Sequence, residues 1–297
     1  MPDTRPPLSR RRFLGAGAAS PALAAAPRAR VQVGAHPWVY AARQPDRDPT
    51  PVLSQIFSEF SRAGMDSIEL MGVVLTGHED GIRRVRELSK RHNLPVVGAS
   101  WSAPMWKREE RAPVLAAARS VIERIAAVGG RTLGVSVGDA RHRKTPAELD
   151  AQADALREVL RMGADHGVTP NLHNHVYEVA DGEHDVSGTI ARIPEVKLGP
   201  DVGWLFRAKV DPVDFIRRHG SRIVFLHLRD ETADGKWPET IGEGIIDFPG
   251  IGLALREAGF SGDLVIELAH ERDFVPTRSY GESFRLGREH IRRAMKY

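Results

Sequence analysis

After about residue 30, the chain alternates between two patterns of hydrophobic positions. Apolar runs of strand length begin near residues 31, 65, 94, 131, 168, 196, 223 and 263. Between them lie longer segments, such as "GIRRVRELSKRHN", whose apolar residues recur at the spacing of one helical face. The pattern therefore predicts eight strands that alternate with helices.

Several predicted helices carry recognisable end signals. Thr145, Pro146 and Glu148 form a capping-box start with proline at the first helical position. Glycines stand where helices are expected to end, at Gly64, Gly129 and Gly167. These signals support the predicted order of elements.

Strict alternation of strands and helices favours a parallel sheet, and eight repeats favour a closed α/β barrel, the (β/α)₈ TIM barrel. A dinucleotide-binding fold has little support, because "GAGAAS" lies near the N-terminus and "GEGIID" is too short for the fingerprint. The chain has 297 residues, of which 41% are hydrophobic, so one large core can form. We predict a single barrel domain over residues 31–297.

Residues 1–30 have a different character. The stretch "SRRRFLGAGAASPALAAAPRA" joins a basic start to a short apolar run and small-residue cleavage patterns. It resembles a twin-arginine export signal, and the matching residues are Ser9, Arg10, Arg11, Phe13 and Leu14. That resemblance implies passage of a folded protein through the twin-arginine export machinery to a periplasmic or extracellular location. A basic arm that binds anions is the alternative.

Loss of residues 1–26 would remove four arginines and one aspartate and lower the formal net charge from +3 to zero. The sequence pI of about 9.3 therefore gives no reason to predict a nucleic-acid partner. No transmembrane segment is predicted in the mature chain, and the absence of cysteine excludes disulfides and thiolate chemistry. Assembly into a homo-oligomer is compatible with the composition.

Polar side chains stand at the predicted C-terminal ends of strands, where barrel enzymes carry their chemistry. His173 and His175 end the fifth strand, two residues apart and so on one face. Asp201, His227 and Glu267 end the sixth, seventh and eighth strands. Four consecutive strands that each end in a metal-ligand type predict a shared metal ion.

Five motifs carry a family resemblance: "NLHNHVYE", "LGPDVGWL", "VFLHLRDE", "IGEGIIDF" and "LVIELAHE". In this order and at these separations, they resemble the xylose-isomerase-like barrels of the sugar phosphate isomerase and epimerase superfamily. The resemblance implies one divalent metal in the barrel mouth, with Asp201, His227 and Glu267 as ligands. Many members have glutamate on strand five, whereas this chain has His173, as in a branch that resembles inosose dehydratases and keto-sugar lyases or hydratases.

The resemblance implies that His173 is the fourth ligand and that His175 meets the substrate, although the two roles can be exchanged. Two imidazoles and two carboxylates suit Mn²⁺, Co²⁺, Fe²⁺ or Zn²⁺ better than Mg²⁺. The metal would polarise a substrate carbonyl while a base removes a neighbouring proton. Glu267 is the candidate base, and His175 is the candidate acid.

Six further residues are candidates for contacts with a small carbohydrate substrate. Each also fits a structural role in the core or at the rim, and Asp230 is expected to orient His227 rather than to bind metal. The candidates are His36, Glu69, Trp101, Glu178, Trp204 and Arg229.

The predicted function is a metal-dependent isomerase or epimerase that acts on a sugar, keto-sugar or related polyol. A lyase, dehydratase or hydratase on the same scaffold is the alternative, and a carbohydrate-binding barrel without catalysis is a remote one. A DNA repair endonuclease of this barrel type would need further ligand histidines, and "GASWSAP" and "LGVSVG" on strands three and four provide none. The letters "HNH" lie within one strand and do not indicate a nuclease.

Overall fold

Eight parallel strands form the centre of the computed structural model, which describes residues 31–297. The predicted export signal lies outside the described residues. The strands are β1 (Gln32–Ala35), β2 (Ile68–Met71), β3 (Val96–Ser102), β4 (Thr132–Ser136), β5 (Thr169–Leu172), β6 (Lys197–Leu198), β7 (Phe225–Leu228) and β8 (Asp263–Ile266).

Helices follow the strands along the chain and cover the outside of the sheet. They are α1 (Trp38–Ala41), α2 (Leu53–Arg62), α3 (Gly72–Thr76), α4 (Gly81–His92), α5 (Arg111–Ala127), α6 (Pro146–Asp165), α7 (Val176–Arg192), α8 (Val202–Arg207), α9 (Pro212–His219), α10 (Phe248–Glu257) and α11 (Tyr280–Met295). None of the helices in residues 31–297 combines the length and the hydropathy that crossing a bilayer requires.

The strand order is β6-β5-β4-β3-β2-β1-β8-β7, and the two end strands meet. Single parallel bridges join Leu198 to Ile223 and Asp201 to His227. The N–H of His227 also donates to the carbonyl of Pro200, at 3.0 Å. These contacts close the ring, so the predicted (β/α)₈ barrel is confirmed.

Burial divides into a layer between sheet and helices and a smaller cluster inside the barrel. Phe60 of α2 and Phe284 of α11 are fully buried in the outer layer, with ring centroids 4.6 Å apart. Val97, Phe225 and Val265 form the inner cluster. Because strand side chains alternate in direction, the inner face that carries Phe225 also carries the residue two positions later, His227.

The predicted helix ends are present. The N–H of Glu148 donates to Thr145 Oγ1, and the N–H of Thr145 donates back to the Glu148 carboxylate, at 2.7 Å. Glycines end α2, α5 and α6 with left-handed φ of +74°, +85° and +67°, at Gly64, Gly129 and Gly167. Glycine adopts this conformation without the steric cost of a Cβ atom.

Strand five is shorter than the sequence pattern predicted. It ends at Leu172, so His173 and His175 lie in the connection to α7 rather than on the strand itself. The neighbouring strand β6 has only two residues, and on the other side of β5 the ladder with β4 ends with the His173 N–H, which donates to the Val135 carbonyl at 2.9 Å. His175 instead becomes the N-cap residue of α7, and its N–H donates to Glu178 Oε2 at 2.6 Å.

Candidate active site

A cavity of about 280 Å³ opens at the C-terminal mouth of the barrel. This volume lies just below the usual range for small-molecule sites. The indole rings of Trp38 and Trp101 line it, together with three serine side chains. The lining also includes residues 71–73 and a set of four histidines and one carboxylate, which are His36, His173, His175, His227 and Glu267.

Donor atoms converge at one point of this cavity. His227 Nδ1 lies 3.1 Å from His173 Nδ1 and 3.1 Å from Glu267 Oε2. Ligand atoms of His173, Asp201 and His227 all lie within 4.8 Å of one another, and all three residues are buried. Atoms that share one ion at about 2.1 Å are separated by about 3.0 to 3.4 Å, so the spacing suits a metal.

Asp201 is fixed from three sides. Its Oδ1 accepts the N–H groups of Gly203 and Trp204 and so caps α8, at 2.9 and 3.1 Å. The amide group of Asn174 brackets its main chain, with Oδ1 accepting the Asp201 N–H at 3.1 Å. Asn174, the middle residue of "HNH", therefore ties the end of β5 to the end of β6.

Glu69 has a different place from the one expected. It is fully buried, and it accepts a hydrogen bond from His227 Nε2. Among the described residues, Glu69 is not one of those that line the cavity. Asp230, the expected partner of His227, instead accepts the N–H groups of Gly242 and Gly244, at 2.8 and 2.9 Å. Glu69 therefore orients His227, and Asp230 holds the loop after β7.

Arg229 lies behind the carboxylates rather than at the cavity surface. Its Nε donates to Asp201 Oδ2 at 2.8 Å, and its Nη2 forms an ion pair with Glu267 Oε1. The guanidinium lies 5.2 Å from the ring centroid of Trp204 and 5.3 Å from that of Trp237. Arg229, packed against Trp204, thus holds the carboxylates of two candidate ligands, Asp201 and Glu267.

Burial and neighbouring charges shift the pKa values of these groups in different directions. Burial, helped by the neighbouring His227, holds the pKa of His173 well below its usual range. Burial opposes protonation of His227 too, but the charges of Glu69 and Glu267 outweigh it and raise its pKa to about 9. Burial raises the pKa of Asp201, whereas Arg229 and nearby histidines overcome burial and lower the pKa of Glu267.

The donor set fits a divalent cation. Three buried carboxylates, those of Glu69, Asp201 and Glu267, surround the two histidines and attract positive charge. Glu69 Oε1 is buried without a hydrogen-bond donor. A neutral His173 offers a lone pair, which is the form that binds metals.

Glu178 is also removed from the cavity surface. Its Oε1 accepts from Ser136 Oγ at 2.6 Å and from the Val137 N–H at 3.2 Å, and its Oε2 accepts the His175 N–H. Tyr177 lies beside this group, and its hydroxyl is 2.7 Å from Ser136 Oγ. Neither Ser136 nor Tyr177 was expected from the sequence, although "VYE" directly follows the histidines.

His36 lines the cavity as predicted and is held at both ring nitrogens. Its Nδ1 accepts the N–H of Trp38 at 3.2 Å, so its proton lies on Nε2, 3.0 Å from Ser100 Oγ. Burial lowers the pKa of His36. Ser100 was not predicted, although it stands near the end of β3, where the barrel rule directs attention.

Comparison with known proteins agrees with this architecture. The rhizopine catabolism protein MocC of Rhizobium meliloti is 24% identical over 270 residues, which cover 81% of each chain. Among solved structures, D-allulose 3-epimerase from a Methylomonas species superposes with a TM-score of 0.72 at 16% identity and covers 89% of this chain and 98% of its own.

The 3-keto-D-glucoside 4-epimerase YcjR of E. coli gives a TM-score of 0.69 at 18% identity, with 88% of this chain and all of its own covered. An L-ribulose 3-epimerase gives 0.72 at 18% identity, with 90% and 95% covered. The family model of the xylose isomerase-like TIM barrel matches residues 57–293. The chain therefore belongs to the xylose isomerase-like TIM barrel family.

Proposed function

We propose that the protein is a metal-dependent isomerase or epimerase that moves a proton next to the carbonyl of a sugar, keto-sugar or related polyol. The observation that carries the proposal is the convergence of His173, Asp201 and His227 in a cavity at the barrel mouth. Indole rings and serine hydroxyls line the same cavity, and they suit the apolar faces and hydroxyl groups of a sugar.

The similar structures support the substrate class. D-allulose 3-epimerase, L-ribulose 3-epimerase and 3-keto-D-glucoside 4-epimerase are all named for carbohydrates that carry a carbonyl group. Epimerisation of such a carbohydrate next to its carbonyl needs a group that removes a proton and one that returns it.

His173, Asp201, His227 and Glu267 would hold the metal, for which Mn²⁺, Co²⁺, Fe²⁺ or Zn²⁺ suits the mixed nitrogen and oxygen donors. When bound, such an ion polarises a substrate carbonyl and stabilises negative charge on its oxygen. Glu69 holds the ring of His227, and Arg229 holds the two carboxylates from behind.

We assign the transfer of the substrate proton to His175 rather than to Glu267. Glu267 is paired with Arg229 and lies against His227, contacts that favour the ionised carboxylate and weaken it as a base. His175 lines the cavity, lies outside the cluster of donor atoms, and keeps about a third of its side chain exposed. We therefore place Glu267 among the ligands and His175 at the reacting carbon.

Proton NMR in D₂O tests the function directly. The purified protein, loaded in turn with Mn²⁺, Co²⁺ and Zn²⁺, is incubated with a panel of keto-sugars and inososes. Exchange of a carbon-bound proton for deuterium, abolished by chelator and by His173→Ala, is the expected result. Loss of water would identify the lyase alternative, and binding without exchange would identify the non-catalytic barrel; either outcome would overturn the isomerase proposal.

A further inference from the structure

An unbroken chain of hydrogen bonds runs from a buried carboxylate to the cavity. Glu178 Oε1 lies 2.6 Å from Ser136 Oγ, and Ser136 Oγ lies 2.7 Å from the Tyr177 hydroxyl. The Tyr177 hydroxyl lies 3.2 Å from Nδ1 of His175. Glu178 is almost fully buried at one end of this chain, and Ser136 and His175 both line the cavity.

The direction of this chain follows from its buried end. Each Glu178 oxygen accepts a backbone N–H, from Val137 and from His175, so the carboxylate acts as an acceptor. Ser136 must then give its only proton to Glu178. Because Ser136 can only accept from its other side, the Tyr177 O–H points toward Ser136, and the Tyr177 oxygen is left to accept from His175.

We propose that Tyr177 and Ser136 are positioning residues that hold His175 in the tautomer with its proton on Nδ1. Its Nε2 is then the unprotonated ring nitrogen, available to a substrate in the cavity. The catalytic role of this tautomer rests on the proposed function, whereas the tautomer itself can be measured on the protein without a substrate. An imidazole in water prefers the opposite tautomer, so the surrounding hydrogen bonds must select this one.

Ring packing fixes the orientation of His175 as well as its tautomer. The His175 and Tyr177 rings stack nearly parallel, with centroids 5.3 Å apart and an angle of 10° between planes. The ring of His173 meets His175 edge-on at 5.1 Å, and Trp204 lies 5.7 Å away on another side. Burial, aided by the charge of Glu178, raises the pKa of Tyr177, so its hydroxyl remains a proton donor.

The consequence for the proposed reaction is a directed proton acceptor. Nε2 would take the proton from the carbon beside the carbonyl, while the C–H electron pair moves toward the carbonyl oxygen. The resulting imidazolium would keep its Nδ1–H on Tyr177. Delivery of the Nε2 proton to the former carbonyl carbon, while the neighbouring hydroxyl passes its proton to the former carbonyl oxygen and becomes the new carbonyl, would complete an isomerisation. Without Tyr177, the ring would adopt the other tautomer and present N–H instead of a lone pair.

Two-bond ¹H–¹⁵N correlation spectra of protein labelled at its histidines test the tautomer. His175→Gln removes one set of signals and so assigns them to His175. The wild-type protein should show His175 protonated at Nδ1. Tyr177→Phe should move the proton to Nε2. Ser136→Ala should do the same, because a Tyr177 hydroxyl without its acceptor can donate to Nδ1.

Ser102→Ala is the matched control, since Ser102 lines the same cavity outside the hydrogen-bond chain, and it should leave the tautomer unchanged. Unaltered signals from the other histidines show that each variant is folded. Where a substrate is known, Tyr177→Phe should lower kcat by roughly 10-fold to 100-fold with little change in KM or metal content. A wild-type His175 protonated at Nε2 would overturn the inference, whatever the activity, whereas an inactive protein with the expected tautomer would contradict only the proposed function.

Discussion

Glu69 and His227 are hydrogen-bonded through the barrel interior, although they lie on β2 and β7 and are 158 residues apart in sequence. Both side chains are almost completely buried. The Glu69 carboxylate accepts a hydrogen bond from Nε2 of His227, so that Nδ1 of the same ring faces His173 and Glu267. This pairing leaves Nδ1 as the nitrogen of His227 that would bind a metal.

Replacing Glu69 with glutamine should weaken metal binding without removing a ligand. The amide keeps the side-chain volume but loses the charge that favours a hydrogen bond from His227 Nε2. We expect the dissociation constant for Mn²⁺ or Zn²⁺ to rise roughly 10-fold to 100-fold, measured by calorimetric titration.

Asp263→Asn is a suitable control, because Asp263 is a buried carboxylate at the opposite end of β8, paired with Arg131 at 2.9 Å. It should leave metal affinity unchanged. Equal affinities for Glu69→Gln and the wild type would show that Glu69 does not orient a ligand.

Asp201→Asn should lower metal affinity while the fold survives. Asparagine keeps an oxygen that can accept the N–H groups of Gly203 and Trp204, so the cap of α8 remains. The loss of a ligand charge should raise the metal dissociation constant at least about 10-fold, with activity partly restored at high metal concentration. Asp211→Asn alters an equivalent cap on α9 and should change neither quantity. Normal metal content in Asp201→Asn would remove Asp201 from the ligand set.

Two substitutions distinguish the ligand from the proton carrier. Glu267→Gln should lose metal, because it removes a charge that faces His227 Nδ1. His175→Gln should keep the metal and lose about 10²-fold to 10⁴-fold in the rate of proton exchange. The measurements are metal analysis and deuterium incorporation on the same samples. A fully metallated but inactive Glu267→Gln would restore Glu267 as the base.

The ion pair between Glu183 and Arg218 should make stability depend on acid pH. Glu183 lies in a left-handed break of α7, and hydrogen bonds from Arg218 hold its pKa below the usual range. Because the folded pKa is lowered, the stabilisation is present at neutral pH and is lost as pH falls from about 5 toward 3. Glu183→Gln should therefore cost up to about 1 kcal/mol at pH 7 and less at pH 3.

Urea unfolding at the two pH values measures this difference. Glu123→Gln, an exposed change on α5, should leave the difference between pH 7 and pH 3 as in the wild type. An equal cost of Glu183→Gln at both pH values would show that the ion pair contributes nothing that titrates.

We propose that residues 1–30 direct export through the twin-arginine route. Changing Arg10 and Arg11 together to lysine should leave the precursor in the cytoplasm, because the resemblance depends on that pair. Fractionation of expressing cells measures the distribution. Changing Arg28 and Arg30 to lysine controls for basic residues as such, and unchanged export of the Arg10 and Arg11 variant would exclude this route.

The fold could be predicted from the sequence because its evidence is local and repeated. Each strand and helix has its own period, and Thr145 and Gly64 mark ends within a few residues. The rule that catalytic side chains lie at the C-terminal ends of barrel strands then places His173, Asp201, His227 and Glu267 at one mouth from the sequence alone.

The roles of individual side chains could not be predicted in the same way. Glu69 and Asp230 both looked like plausible partners of the site, but which one reaches His227 depends on the packing across the barrel. Likewise, the direction of His175 depends on where β5 ends and on its place as the N-cap residue of α7. Such facts come from tertiary pairing, and local periodicity does not contain them.

The ring of strands is joined at β6 and β7 by two single bridges, and one of these links Asp201 to His227. One of the few pairings that hold β6 to β7 thus joins two residues that would bind an ion. A cation bound to both Asp201 and His227 would hold β6 and β7 together. The metal concentration would then govern how often this edge of the barrel opens, as well as whether the protein is active. At low metal concentration we therefore expect this edge to open first, with amide hydrogen exchange rising at the N–H groups of Asp201 and His227.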